Sequence, residues 1–200
     1  GDVRAFIEPL KQQIRDDRAS HPGNAYGVLS EDALADRFTA EHCHELRHVA
    51  HWGRWLQWNG TRWKFDETHH VFDLARHVCR AANATGPQEA KSMTSAKTVA
   101  AVERMAKADR RHAATTDDFD ADPMILNTPD GVVDLHTGQM HANDPMHGCT
   151  KTTKVGPGGD CPRWRDDFLP TVTDGDEELQ SYLRRLIGYA LTGKTSEHIL

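Results

Sequence analysis

Two hundred residues with 38% apolar content are enough for one domain or two small ones with a real core. No apolar run approaches the roughly 18 residues of a membrane span, and no signal-peptide pattern opens the chain, so a cytoplasmic protein with no membrane partner is expected. The formal charge of −6 excludes wholesale electrostatic coating of nucleic acid, so any such contact must come from a local basic patch. The four cysteines, Cys43, Cys79, Cys149 and Cys161, are widely spaced without a CxxC pair, which reads as reduced thiols.

Apolar residues at Val3, Phe6, Ile7, Leu10 and Ile14 predict a helix over 2–18, and SHPGNAYG at 20–27 reads as a loop and linker. Ser30 is a natural N-cap, with Glu31 and Asp32 in the first turn of a helix through Leu34, Ala35 and Phe38. WGRWLQWNGTRWKF at 52–65 predicts a hairpin about a two-residue Asn59-Gly60 turn. That turn would set Trp58 opposite Thr61, Leu56 opposite Trp63 and Arg54 opposite Phe65. Leu56, Trp58, Trp63 and Phe65 would then face the core, and Trp55, Gln57, Arg62 and Lys64 would face away.

A helix over 68–82 would bury Val71, Leu74, Ala75, Val78 and Cys79, and NATGPQ at 83–88 would break it. A helix over 95–108 would bury Val99, Val102, Met105 and Ala106. After a loop at 115–119, DPMILNTPDGVVDLHTG at 122–138 carries the densest turn chemistry in the chain. Met124, Ile125 and Leu126 lead into the turn Thr128-Pro129-Asp130-Gly131, from which Val132, Val133 and Leu135 return as a second strand. A breaker-rich loop at 155–162 precedes Trp164, Phe168 and Leu169 at helical spacing. The helix over 174–191 has acidic residues in its first turn and the apolar stripe Leu179, Tyr182, Leu183, Leu186, Ile187 and Ala190. The expected fold class is α+β, mainly helical, with short hairpins at about 52–65 and 124–140.

Three constellations are candidates for chemistry. His44-Glu45-Leu46-Arg47-His48 matches HExxH, which on a helix puts two imidazoles on one face for zinc, with Glu45 as general base. Glu67 or His51 would be its third ligand in a zinc metallopeptidase, although a chain with 13 histidines meets this motif by chance more readily than most. The second constellation is basic. Lys97, Arg104, Lys107 and Arg111 fall near one helix face and its exit, with Arg110 beside them, and could follow a phosphate backbone. Trp55 with Arg62 and Lys64 could add a stacking platform, the bland alternative being a solvated face paired with Glu103 and Asp109. Third, Asp117, Asp118, Asp120 and Asp122 could hold a divalent cation or be a solvated loop. Leu191-Thr192-Gly193-Lys194-Thr195 imitates a phosphate loop but lacks its upstream glycine, and no complete catalytic site is found.

Read together, FDADPMILNTPDGVVDLHTG at 119–138, DCPRWRDDFL at 160–169 and YLRRLIGYALTGKTSEHIL at 182–200 resemble the domain preceding the superfamily III helicase in phage, plasmid and poxvirus primase-helicases. LRHVAHWGRWLQWNGTRW at 46–63 resembles the start of that domain. The resemblance implies that 29–195 is the pre-helicase domain, with subparts 29–112 and 119–195, and leaves the helix and linker of 1–28 either to this domain or to the tail of an upstream region. It also implies that 196–200 begins the ATPase, with Ile199-Leu200 opening its first strand. The implied role is a non-catalytic accessory of a DNA replication primase-helicase in a bacterial host cell. That accessory would support ring self-association and engage single-stranded or forked DNA. It would have no cofactor of its own, while the parent helicase takes ATP and magnesium. A plain protein-interaction module without DNA contact is the remaining alternative.

Overall fold

The computed structural model describes residues 30–82 and 86–196. The helix expected at 2–18, the loop at 20–27 and the strand opening at 199–200 lie outside the described residues, as do 83–85 of the expected breaker. Six α-helices and seven short strands follow: α1 (Glu31–His42), β1 (Leu46–Val49), β2 (Arg54–Trp58), β3 (Trp63–Phe65), α2 (His70–Ala81), α3 (Pro87–Met93), α4 (Ala96–Ala108), β4 (Ala113–Ala114), β5 (Ile125–Thr128), β6 (Gly131–Asp134), β7 (Met140–His141), α5 (Leu169–Val172) and α6 (Glu177–Ala190). The fold is α+β, with its strands in two small sheets of order β3-β2-β1-β4 and β5-β6-β7. Two compact units interleave along the chain. One holds the described residues up to Glu41 with Phe72–Ala106, and the other holds His42–Val71 with the chain from Lys107 onward.

The first unit is helical. Ser30 caps α1 by accepting the Ala33 amide at 3.1 Å. Leu34, Ala35 and Phe38 of α1, Ala75, Val78 and Cys79 of α2, and Val99, Val102 and Ala106 of α4 are buried. Met105 was expected among them but stands 42% exposed, because it lies one position off the i, i+3, i+7 stripe that those three α4 residues make. The helix α3 was not anticipated behind the breaker. Pro87 opens it at N1/N2, where the missing amide costs nothing.

The second unit contains both sheets. In the first sheet β2 and β3 are joined by four residues, not two: Trp58 pairs with Trp63 and Leu56 with Phe65. Asn59 sets this wider turn, its side chain accepting the amides of Thr61 and Arg62 at 3.0 and 2.8 Å. The register slips by two residues from the expected one, an even shift, so every side chain keeps its face. Val49, Leu56, Trp63 and Phe119 form the core on that face. The opposite face is buried too, which the sequence reading missed, since Leu46, His48 and Trp55 are 0–8% exposed. β4 adds in parallel to β1, pairing His48 with Ala113, and two residues are too few to show a period-2 signal.

The second sheet is built around the Pro129-Asp130 turn. Thr128 pairs with Gly131, and the Thr128 hydroxyl donates to the Gly131 carbonyl at 2.7 Å. Gly131 has φ +151°, and a Cβ there would lie 2.4 Å from the His141 carbonyl oxygen on β7. Beyond the sheets, Arg163–Phe168 wind as a π-helix in which Trp164 stacks on Phe168 at 4.8 Å between ring centroids. α6 is capped by Asp176, whose carboxylate accepts the Leu179 amide at 3.0 Å. Its apolar stripe is not buried: Leu179, Tyr182 and Ile187 are 41–43% exposed. The turn after it is tied down by Gly193, which donates to the Pro123 carbonyl at 2.8 Å.

Gly131→Val meets both a backbone conformation closed to β-branched residues and the β7 carbonyl, and should cost about 2–4 kcal/mol. Gly138→Ala, at φ +72° with open space around it, should cost only about 1 kcal/mol. Thermal melts of the two variants check this, and an unchanged midpoint for Gly131→Val would contradict the turn geometry.

Candidate nucleic-acid interface

The expected cations are divided between the two units. In the first unit, Lys97 and Arg104 project from α4 and are exposed. In the second, Lys107 is half-buried, and Arg110 and Arg111 are exposed in the turn after α4. Arg111 is held by Asp109, donating from Nε at 3.0 Å and from Nη2 at 2.7 Å. Burial works against ionisation of Asp109, but the Arg111 side chain and amide outweigh it and hold the carboxyl below its ordinary range. Much of the Arg111 charge is therefore answered within the protein.

On the other side of the same sheet, Arg62 donates to the Thr150 carbonyl at 3.0 Å, so it fastens a loop instead of facing solvent freely. Lys64 is exposed on β3 and shares the lining of a cavity of about 200 Å³ with Asp66 and Glu67. β3, which carries Lys64, and β4, which Arg110 precedes, are opposite edges of a four-stranded sheet, about three strand spacings or roughly 14 Å apart. Trp55 leaves the set. It is 6% exposed, with His48 and His112 against it at 5.0 and 5.3 Å between ring centroids, so no face of the indole is open to a base.

The HExxH reading is corrected by secondary structure. α1 ends at His42, so His44 lies in an exposed turn and His48 is buried in β1, four residues on but not on a helix face. Glu45 is engaged by His42, with Oε1 2.7 Å from Nδ1. Glu67 and His51 are both exposed, in loops after β3 and before β2. The acidic run is likewise spent on the chain itself. Asp118 accepts the Thr115 amide and hydroxyl, Asp120 those of Thr150, and Asp122 the Met124 amide. Among the described residues no three His, Cys, Asp or Glu side chains gather to hold a metal ion. Nor does Leu191–Thr195 fit a nucleotide phosphate, because the Gly193 amide is already given to Pro123 and the Lys194 amide to the Thr192 hydroxyl.

Two residues outside the sequence expectation do come together. Arg76 and Arg80 of α2 line a cavity of about 260 Å³ in the first unit, with Thr94 and Val99. Their i, i+4 spacing was visible in the sequence, but the approach of Thr94, from beyond an unexpected helix, was not.

A family model described as D5 N terminal like matches residues 33–174, spanning α1 through the turn before α6. The chain belongs to that family. It therefore carries the N-terminal domain of D5-like primase-helicases, in agreement with the resemblance drawn from 119–138 and 160–169. No curated protein matches the sequence. Among the described residues of this D5 N terminal like domain, no helix is long and apolar enough to cross a membrane.

The turn that presents Arg110 and Arg111 rests on His112, which is fully buried. Its Nδ1 lies 3.2 Å from the Leu46 carbonyl, which requires the Nδ1–H tautomer, and its own carbonyl accepts the His48 amide at 2.8 Å. Burial drives its pKa down from 6.5 to about 4, more than the Leu46 hydrogen bond and Asp109 raise it. The unfolded chain thus binds this proton at higher pH than the folded one. The His112 contribution is constant above about pH 6.5 and is lost at up to about 1.4 kcal/mol per pH unit toward pH 4. Urea melts over this range should show a shallower pH dependence for His112→Gln than for the parent. Equal slopes would mean that His112 does not titrate as its burial requires.

Proposed function

We propose that this chain is the accessory, non-catalytic domain of a DNA-replication primase-helicase, which engages DNA and supports assembly of the helicase ring. The carrying observation is membership of the D5 N terminal like family over residues 33–174. The DNA half is supported by exposed cations that no described carboxylate clasps, Lys97 and Arg104 in one unit and Arg110 in the other. Such side chains contact phosphate without reading sequence. Trp55 takes no part, and Arg62 and Arg111 act mainly in holding the fold. ATP and magnesium would serve the motor of the parent protein. The residues here that most resemble a phosphate loop do not fit them.

The assembly half is supported by α6. Leu179, Tyr182 and Ile187 of its stripe are 41–43% exposed, an apolar surface that a partner could cover. The same face favours a second reading, a protein-interaction module that leaves DNA alone.

Binding of the chain to single-stranded and forked oligonucleotides across a salt series separates the two readings. The DNA reading expects log affinity to fall linearly with log salt, by about 0.7 per phosphate contact on single strands. No salt-dependent binding at low ionic strength would remove DNA engagement and leave the interaction module. For the full-length protein with nucleotide and DNA, light scattering should report a ring, and a persistent monomer would end the assembly half.

A further inference from the structure

We propose that the cavity lined by Arg76, Arg80, Thr94 and Val99 is a phosphate-binding notch, so that the first unit holds one phosphate group at a built position as well as carrying scattered surface charge. Arg76 and Arg80 are four residues apart on α2, which places both guanidiniums along the same helix face. Both line the cavity, and Thr94, between α3 and α4, completes its polar lining.

The chemistry of the lining selects the ligand. Two guanidiniums supply planar forks of N–H donors matched to phosphate oxygens, and neither carries an acceptor. The Thr94 hydroxyl now donates to the Ala90 carbonyl at 2.9 Å and can rotate to a phosphate oxygen instead. Among the described residues no aromatic side chain lines the cavity, which argues against a stacked base. At about 260 Å³ it is below the roughly 300–1,000 Å³ typical of sites for larger organic ligands.

The internal competition is weak. Arg76 pairs with Asp73 at 2.8 Å, but both side chains are more than 40% exposed, and such a pair exchanges readily for a dianion. His77 shares Asp73 at 3.5 Å, which divides that carboxylate further. Arg80 makes no ion pair with a described carboxylate.

The phosphate could come from a DNA backbone or from a free phosphate compound. The first source rests on the DNA reading above, and the second does not. The test compares the parent chain, R76Q/R80Q, and the charge-matched control K151Q/K154Q, whose lysines are exposed and outside every candidate set. Single-stranded oligonucleotide binding is measured across a salt series. Inorganic pyrophosphate is titrated in parallel while the Arg80 Nε–H and Thr94 amide resonances are followed.

A backbone site predicts that R76Q/R80Q weakens DNA binding about tenfold at low salt and flattens the salt slope by about 0.7, beyond any change in the control. A free-phosphate site predicts saturable pyrophosphate shifts at Arg80 and Thr94, lost in R76Q/R80Q, in a chain that does not bind DNA. In that outcome the notch stands and the DNA reading falls. If the parent binds DNA, R76Q/R80Q matches the control and pyrophosphate shifts nothing, the notch is overturned and the DNA reading survives. A chain that responds to neither probe overturns both.

Discussion

The second unit depends on one buried amide. Asn127, 6% exposed, lies two residues before the Pro129-Asp130 turn and is fully used. Its Nδ2 donates to the Thr61 carbonyl at 3.0 Å and to the Lys151 carbonyl at 2.8 Å. Its Oδ1 accepts from Asn143 at 2.8 Å, and its backbone carbonyl accepts the Thr153 amide at 3.0 Å. Thr61 belongs to the β2–β3 turn and Asn127 to β5, so a single side chain joins the turn of one sheet to a strand of the other, 66 residues away. Around it, the Trp63 amide reaches the Cys149 carbonyl at 2.8 Å and the Trp63 indole reaches the Pro145 carbonyl at 2.9 Å. A network of this kind specifies one arrangement because its members satisfy one another, and losing Asn127 would remove the partner of two carbonyls and of Asn143.

That constraint explains the placement of the cations. Segment 143–153 is held against the β2–β3 turn, so Arg62 there is recruited to the Thr150 carbonyl as part of the fastening. On the interior strand β1, Arg47 is half-buried, donating to the carbonyls of Cys43, Leu46 and Arg111 and lying over the Trp63 ring at 5.2 Å. The arginines nearest the sheet's core are structural. Those with charge to spare are at the periphery, where the proposed phosphate contacts would be made.

Much of this was legible in the residues. Ser30 announced α1, the Pro-Asp-Gly turn announced the β5–β6 hairpin, and the acidic first turn announced α6. What failed did so for physical reasons. The Asn59-Gly60 pair suggested the tightest turn, but the Asn59 side chain closes a wider one, and only the even register shift preserved the assignment of faces. Trp55 looked like a solvent-facing platform because alternation cannot show that a sheet is covered on both sides. His112 and Asn127 gave no local signal, since the role of each is set by carbonyls more than 60 residues away. The Arg76–Arg80 notch was hidden in the same way: two arginines on a polar face look like any solvated helix until Thr94 approaches.

The most direct test of the central claim is native-state amide exchange on Asn127→Ala. If this amide couples the two sheets, protection should fall together at Trp63, whose amide bonds Cys149, and at Thr153, whose amide bonds the residue 127 carbonyl, while the first unit's Val99 stays protected. Loss confined to Thr153, with Trp63 as slow as in the parent, would show that the sheets are held together without Asn127 and would contradict the account.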